Sequence, residues 1–257
     1  MRAALLYNPR LLCERLAELS LDHRRRSKLR RTVASKLLRG HIDSLELLEL
    51  LRTNPPRVIY DIGAYIGTWT LLAKAIFPDA EVHAFEPLAL HRARFRVFTS
   101  GVSKVYLHEI ALGDEAASIS ISVAKKSDAS SLLQMTDQSE AVYGVTGREQ
   151  VRVERLDSWV TQNSIPLPDL IKLDIQGFEL DALNGGEKCV QYARAVISEI
   201  SFKSFYHRQC LFHDIVTFLA ERRLFARAFG ASTTPGALLD QTDVLFLRGE
   251  DERQPNR

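Results

Sequence analysis

Cysteine is scarce in this sequence. Cys13, Cys189 and Cys210 are the three among 257 residues, odd in number and far apart, so no disulfide framework is implied. None has a second Cys or His at metal-finger spacing, and all three read as small buried hydrophobes. Long apolar runs are missing as well. No stretch approaches the roughly 20 residues that cross a bilayer. The opening MRAALLYNPRLLCERLAEL meets Pro9 and Arg10 too early for a signal-peptide core, so the expectation is a cytoplasmic protein. Nor is there a large excess of one charge: 34 Lys+Arg stand against 32 Asp+Glu.

That balance hides an asymmetry. Residues 1–57 carry 13 basic and 6 acidic side chains, a net of +7, and the remaining 200 carry 21 and 26, a net of −5. Most of the excess lies in DHRRRSKLRRTVASKLLRGH, residues 22–41. Such a run suits a weak contact with acidic lipid, nucleic acid or a phosphorylated partner. The plainer reading is a solvated helical face with Leu29, Val33, Leu37 and Leu38 turned inward.

Apolar spacing of three and four makes residues 1–54 a helical extension. Ser44 is placed to cap SLELLELLRTN, which stops before Pro55 and Pro56. From residue 55 the texture changes to short β-rich runs alternating with helical patterns: RVIYDIG, AEVHAFEP, KVYLHEIALGD, VRVERL, LPDLIKLDIQG, RAVISEIS, LFARAFG and DVLFLRG. SISISV alternates with period two and reads as an antiparallel addition. Residues 124–150, rich in Ser, Asp, Gly and Gln, read as a loop with some hairpin. Strands alternating with helices imply a mostly parallel α/β sheet covered on both faces, over residues 55–249. The last two strands lack an intervening helix, so one runs antiparallel at or near an edge. Residues 250–257 read as a frayed tail.

In such sheets ligands bind beyond the carboxyl ends of the strands. Asp61, Glu86, Asp174 and Glu199 each fall near one of those ends. The first turn is Asp61-Ile-Gly63-Ala-Tyr-Ile-Gly67. A dinucleotide turn needs G-x-G-x-x-G, and its second glycine is replaced here by Tyr65. The phosphate-loop ending Gly-Lys-Ser/Thr is absent too. A carboxylate at the strand end suits an ammonium or sulfonium ligand better than a pyrophosphate. Glu86, about 20 residues after the turn, stands where an acid accepts from ribose hydroxyls. A nucleoside with a cation and no phosphate describes S-adenosylmethionine better than NAD.

DIGAYIG, AFEP, IALGD, RLDSW, LIKLDIQGFELDALNGG and VISEISF resemble, in order, the motifs of FkbM-type S-adenosylmethionine-dependent methyltransferases, over residues 57–248. The resemblance implies a class I methyltransferase (Rossmann-like) fold, with a seven-stranded mostly parallel sheet, and O-methylation of a sugar, glycan or secondary metabolite. It places Asp61, Gly63 and Gly67 in the cofactor loop, Glu86 on the ribose and Asp174 after the fourth strand; Tyr65 and Ala111 join the cofactor side. Two positions depart from the family, which commonly has Asn at position 65 and an acidic residue at 176. Tyr65 and Gln176 therefore raise an alternative, a scaffold that keeps the pocket and has lost turnover.

An alcohol acceptor must lose a proton, to a base or through a metal. Asp174, Glu199 and His207 are the candidate bases, and a divalent metal is left open. Capping a helix near Glu179 is the plainer role for Asp174, a salt bridge to Lys203 or Arg208 for Glu199, and simple exposure for His207. Nucleic-acid substrates find little support. Asp174-Ile-Gln-Gly replaces the Asn/Asp-Pro-Pro-aromatic string of adenine methylation, and no cysteine follows a proline. The N-terminal helices are left as a lid, a dimer surface or a substrate collar.

Overall fold

The computed structural model describes residues 9–38, 41–125, 130–230 and 238–249, with side chains from residue 19 onward. The side chain of Cys13 and the tail 250–257 lie outside the described residues. The chain opens with helices α1 (Pro9–Leu29) and α2 (Leu45–Glu49). It continues through β1 (Val58–Ile62), α3 (Thr68–Ile76), β2 (Glu81–Phe85), α4 (Ala89–Phe98), β3 (Val105–His108), β4 (Ala111–Leu112) and β5 (Ala117–Ala124). After α5 (Asp137–Tyr143) come β6 (Val145–Glu154), α6 (Leu156–Gln162), β7 (Leu170–Leu173), α7 (Glu179–Gly185) and α8 (Glu187–Tyr192). The last elements are β8 (Ala195–Ser201), α9 (Phe212–Glu221), β9 (Leu224–Phe229) and β10 (Gln241–Arg248).

Seven strands form one sheet in the order β3-β2-β1-β7-β8-β10-β9. Only β10 runs antiparallel, between β8 and the edge strand β9. This is the class I methyltransferase arrangement, with β1 and β7 side by side at its centre. The central strands are mostly apolar, with Asp61 and Lys172 as buried exceptions, because both faces are covered. Tyr60, Ile171 and Val196 face a core closed by α6 to α9. Their neighbours Ile59, Leu170 and Ile197 face a second core shared with α3 and with Leu29, Leu45, Leu47 and Leu48 of the N-terminal segment. Alternate residues thus serve opposite layers, as strand geometry requires.

Several expectations shift. Helix α1 ends at Leu29, so the basic run is partly turn: Leu29 and Leu37 are buried, whereas Val33 and Leu38 are exposed. Arg25 is not solvated; it is buried and pairs with Asp43 at 3.0 Å and Glu46 at 2.6 Å. The run 104–114 splits at Glu109–Ile110, and β4 leaves for a separate three-stranded sheet with β6 and β5. SISISV, expected as an antiparallel addition, pairs antiparallel with β6 in that small sheet. The polar stretch 124–150 contains α5, capped by Thr136 accepting from the Ser139 amide. Its polarity hid a helix of only seven residues. Among the described residues no helix is long and apolar enough to cross a membrane.

Near the β3 edge, three donors in series end on the Glu81 carboxylate. Trp159 Nε1 donates to His108 Nδ1 at 3.3 Å. That leaves Nε2 of His108 to donate to His83 Nδ1 at 3.0 Å, and Nε2 of His83 to donate to Glu81 at 2.8 Å. Both tautomers follow from the one indole N–H, and both rings must be neutral. Burial lowers the pKa of His83 against the pull of Glu81, and burial with His83 lowers that of His108 to about 4.

An unfolded histidine titrates near 6.5, so the unfolded chain binds more protons between there and about 4. Stability is therefore complete above that window and falls as pH drops through it, by on the order of 2–3 kcal/mol. Urea titrations at pH 7 and pH 4.5 measure the loss, and His83→Gln/His108→Gln is expected to remove most of it.

Candidate active site

Strand β1 delivers the chain into a turn that only glycine can make. Gly63 has φ +79, and a Cβ there would lie 1.9 Å from the Asp174 carbonyl oxygen. Its amide and that of Ala64 both donate to the Phe85 carbonyl at 3.1 Å, which wedges the turn between the ends of β2 and β7. Gly67, at φ +86, ends the turn ahead of α3, where a Cβ would meet the Phe95 ring at 2.9 Å. Tyr65 takes φ +50 between them. Its amide donates to Glu86 Oε2 at 2.9 Å, and its ring meets His91 edge-on at 4.6 Å. The other Glu86 oxygen accepts from the Leu88 amide at 2.9 Å and lies 3.2 Å from His91 Nδ1.

A cavity of about 520 Å3 opens beyond these strand ends. Gly63, Tyr65, Glu86, Ala111, Asp174 and Glu199 line it, together with Gln176, Ser130 and Ser131. Asp61, Gly67 and His207 do not. Asp61 lies within β1 and is fully buried, with Oδ2 accepting from Thr70 at 2.5 Å and Oδ1 3.5 Å from Lys172 Nζ. The ammonium it meets belongs to Lys172, not to a ligand in the cavity. Burial pushes its pKa up, while Lys172 and Thr70 pull it down. His207 is exposed because its amide pairs with Gln134 and the neighbouring Tyr206 takes the inward position.

Gln176 organises the acids. Its Nε2 donates to Asp174 Oδ1 and to Glu199 Oε2, each at 2.9 Å. Tyr206 donates to its Oε1 at 3.2 Å, which orients the amide. The backbone at Gln176 sits at φ +57, and its carbonyl accepts from Ser131 at 2.8 Å. Asp174 caps no helix: Glu179 accepts from the amides of Ile175 and Gly177 instead. Nor does Glu199 pair with Lys203, which reaches Asp240 at 2.7 Å.

Burial raises the pKa of Glu199 well above the usual carboxylate range, reinforced by Asp174, Asp243 and Glu179 and opposed by Lys172. Burial depresses Lys172, yet Asp174, Asp61, Asp243 and Glu199 outweigh that and push its pKa up. Among the described residues no three His, Cys, Asp or Glu side chains converge to hold a metal ion. Lys172 went unmarked in the sequence, although a lysine inside an apolar strand such as LIKL is a signal, since buried lysines are almost always paired.

A family model described as the methyltransferase FkbM domain matches residues 61–226. The chain is 28% identical over 199 residues to the 2-O-methyltransferase NoeI of Sinorhizobium fredii, covering 74% of this chain and 80% of that protein. It is 26% identical over 167 residues to the hexuronic acid methyltransferase AglP of Haloferax volcanii, covering 63% of each. Among solved structures, precorrin-6y C5,15-methyltransferase of Geobacter metallireducens aligns with a TM-score of 0.47 at 13% identity, over 83% of this chain and 91% of that one.

The glycine turn gives a stability test. Gly63→Ala drives a Cβ into backbone and is expected to cost several kcal/mol, about 3 or more. Gly101→Ala has φ +78 but open space, and is expected to cost only about 1 kcal/mol. Thermal unfolding of the two variants measures the gap.

Proposed function

The chain belongs to the FkbM-domain methyltransferases and is an S-adenosylmethionine-dependent enzyme, and we propose that it methylates a hydroxyl of a sugar, glycan or secondary metabolite, with Glu199 taking the hydroxyl proton beside Asp174. The observation that carries this reading is the Gln176 bridge, which holds two carboxyls of unlike environment at one wall of the cavity. The relatives named as a 2-O-methyltransferase and a hexuronic acid methyltransferase support an oxygen of a sugar as acceptor.

S-Adenosylmethionine, when bound, supplies a methyl group already activated by sulfonium, so the protein's work is positioning and proton removal. The residues present fit it. The Glu86 carboxylate is fixed by Tyr65, Leu88 and His91. A carboxylate has about four acceptor sites, so one remains for a ribose hydroxyl. Tyr65 and Ala111 would flank the nucleoside, and Gly63 lets the chain approach it. A carboxylate-rich wall suits a sulfonium better than a phosphate.

At the acceptor end, Glu199 Oε2 takes hydrogen bonds from Gln176 at 2.9 Å and Gln241 at 3.3 Å. No described hydrogen bond engages Oε1, which is the atom we assign to receive the proton. Burial has moved this carboxyl toward the proton affinity that a general base needs. Asp174, held by Gln176 and Lys172, would orient the acceptor or the amino group of the cofactor.

Two measurements test the assignment. Calorimetry is expected to show S-adenosylmethionine and S-adenosylhomocysteine binding, weakened about tenfold or more by Glu86→Ala, and no binding of NAD. Glu199→Gln is expected to lower kcat by about a hundredfold or more while leaving cofactor affinity nearly intact. The acid limb of the wild-type rate should lie above the ordinary carboxylate range of roughly 4–4.5, because Glu199 must first lose its proton. A limb at or below that range, or an active Glu199→Gln enzyme, would remove Glu199 from the role.

A further inference from the structure

The stretch of cavity wall beside Glu199, here called the acceptor lobe, is marked by no sequence motif. His41, Asp43 and Ser44 before α2, Trp69 on α3, and Gln241 and Asp243 on β10 form its wall. Ser44 does not cap α2 through its side chain; its hydroxyl donates to Asp243 Oδ2 at 2.5 Å. That bond ties the N-terminal segment to the far half of the sheet. Gln241 donates to Glu199 at 3.3 Å and to Ser201 at 3.1 Å. The lobe is thus built, with both walls anchored.

Its charge is one-sided. Six carboxyl side chains, one lysine and two histidines, His41 and His91, stand among the described residues lining the cavity, and no arginine does. The lysine, Lys172, is already engaged by Asp61 and Asp174. Asp43 is matched from behind by Arg25, and Asp240 by Lys203. Glu199 and Asp243 receive only neutral donors, an amide pair and a hydroxyl. Burial raises the pKa of Asp243, with Asp174 and Asp43 adding to it and Ser44 and Lys172 opposing it. Trp69 adds an independent sign of a ligand. It is 8% exposed, and its indole N–H is buried with no partner among the described residues. An indole with an unspent donor in the same wall as several carboxyls suits the mixed polar and apolar surface of a sugar.

We propose that this lobe selects its acceptor by charge, taking an uncharged or amine-bearing sugar and rejecting one that carries a carboxylate. The inference rests on the reading of the cavity as a sugar O-methylation site. A carboxylate brought beside Glu199 and Asp243 meets like charge, with no unengaged lysine or arginine among the described lining residues to answer it, and like-charge contact in a partly buried site costs at least about a tenfold preference. The chain would then differ in acceptor charge from its relative named for hexuronic acid.

The experiment compares methyl transfer from S-adenosylmethionine to the benzyl glycosides of glucose, glucosamine and glucuronic acid, and of the matching galactose series. The ratio of kcat/KM values is the readout. The glucose or glucosamine form is expected to exceed the uronate by about tenfold or more. Asp243→Asn, which retains an oxygen for Ser44, is expected to narrow that ratio severalfold whatever it does to the absolute rate. A uronate preferred by the wild type overturns the inference, and so does a ratio that Asp243→Asn leaves unchanged. Calorimetric binding of S-adenosylmethionine with transfer to none of the glycosides overturns the sugar reading and the inference with it. Absence of cofactor binding overturns the earlier assignment instead.

Discussion

A single buried ammonium holds the catalytic end of this molecule together. Lys172 Nζ lies 3.3 Å from the Gly63 carbonyl, 3.4 Å from Asp174 Oδ2 and 3.5 Å from Asp61 Oδ1, with the Trp69 ring 5.9 Å away. It therefore touches the end of β1, the glycine turn and the end of β7 at once. Burying a lysine is expensive unless its partners surround it. Burying Asp61 without that lysine would be worse, because Asp61 is fully enclosed. Each justifies the other, and between them they fix the backbone from which the cavity is built.

Gln176 plays the complementary part with a neutral group. Its amide separates Asp174 from Glu199 without adding charge, and Tyr206 sets which end of the amide faces them. An acidic side chain at that position would bring a third carboxyl against two that are already close. The pairing of a buried cation on one side with a neutral spacer on the other leaves Asp174 and Glu199 in different surroundings, which is how two like groups acquire separate tasks.

Much of the fold was legible because fully covered parallel strands announce themselves as apolar runs. VIYDI, LIKL and AVISEIS could hardly be anything else. In the small sheet the strands SISISV and VRVE were legible by their alternation, but the separation of β4 from β3 and the short helix α5 were not, since short polar elements share the texture of loops. For the site, counting residues from the glycine turn led to Glu86, which does line the cavity. Asp61 shows the limit of the same argument: a strand-end position does not say whether a side chain turns into the crevice or back into the core. His207 shows another, because one step of chain reverses the face and gives the inward place to Tyr206. The wall made by residues 41–44 and 241–243 left no trace in local pattern. Ser44 and Asp243 are 199 residues apart in the chain, and only the folded sheet brings them together.

The place of β10 also governs the order in which the molecule can be completed. It follows β9 in the chain yet lies between β9 and β8. On the ribosome, β9 emerges before the strand that must separate it from its neighbour. Until then β8 presents an unpaired edge, the kind of surface on which strands of other chains nucleate. The turn at Gly63 and the carboxyl of Glu86 are set by elements already synthesised, so the nucleoside end can form on a nascent chain. The acceptor end waits for residues 241–243. A chain stalled before them would hold half a site and an open sheet edge, and would be exposed to aggregation before it could turn over any substrate.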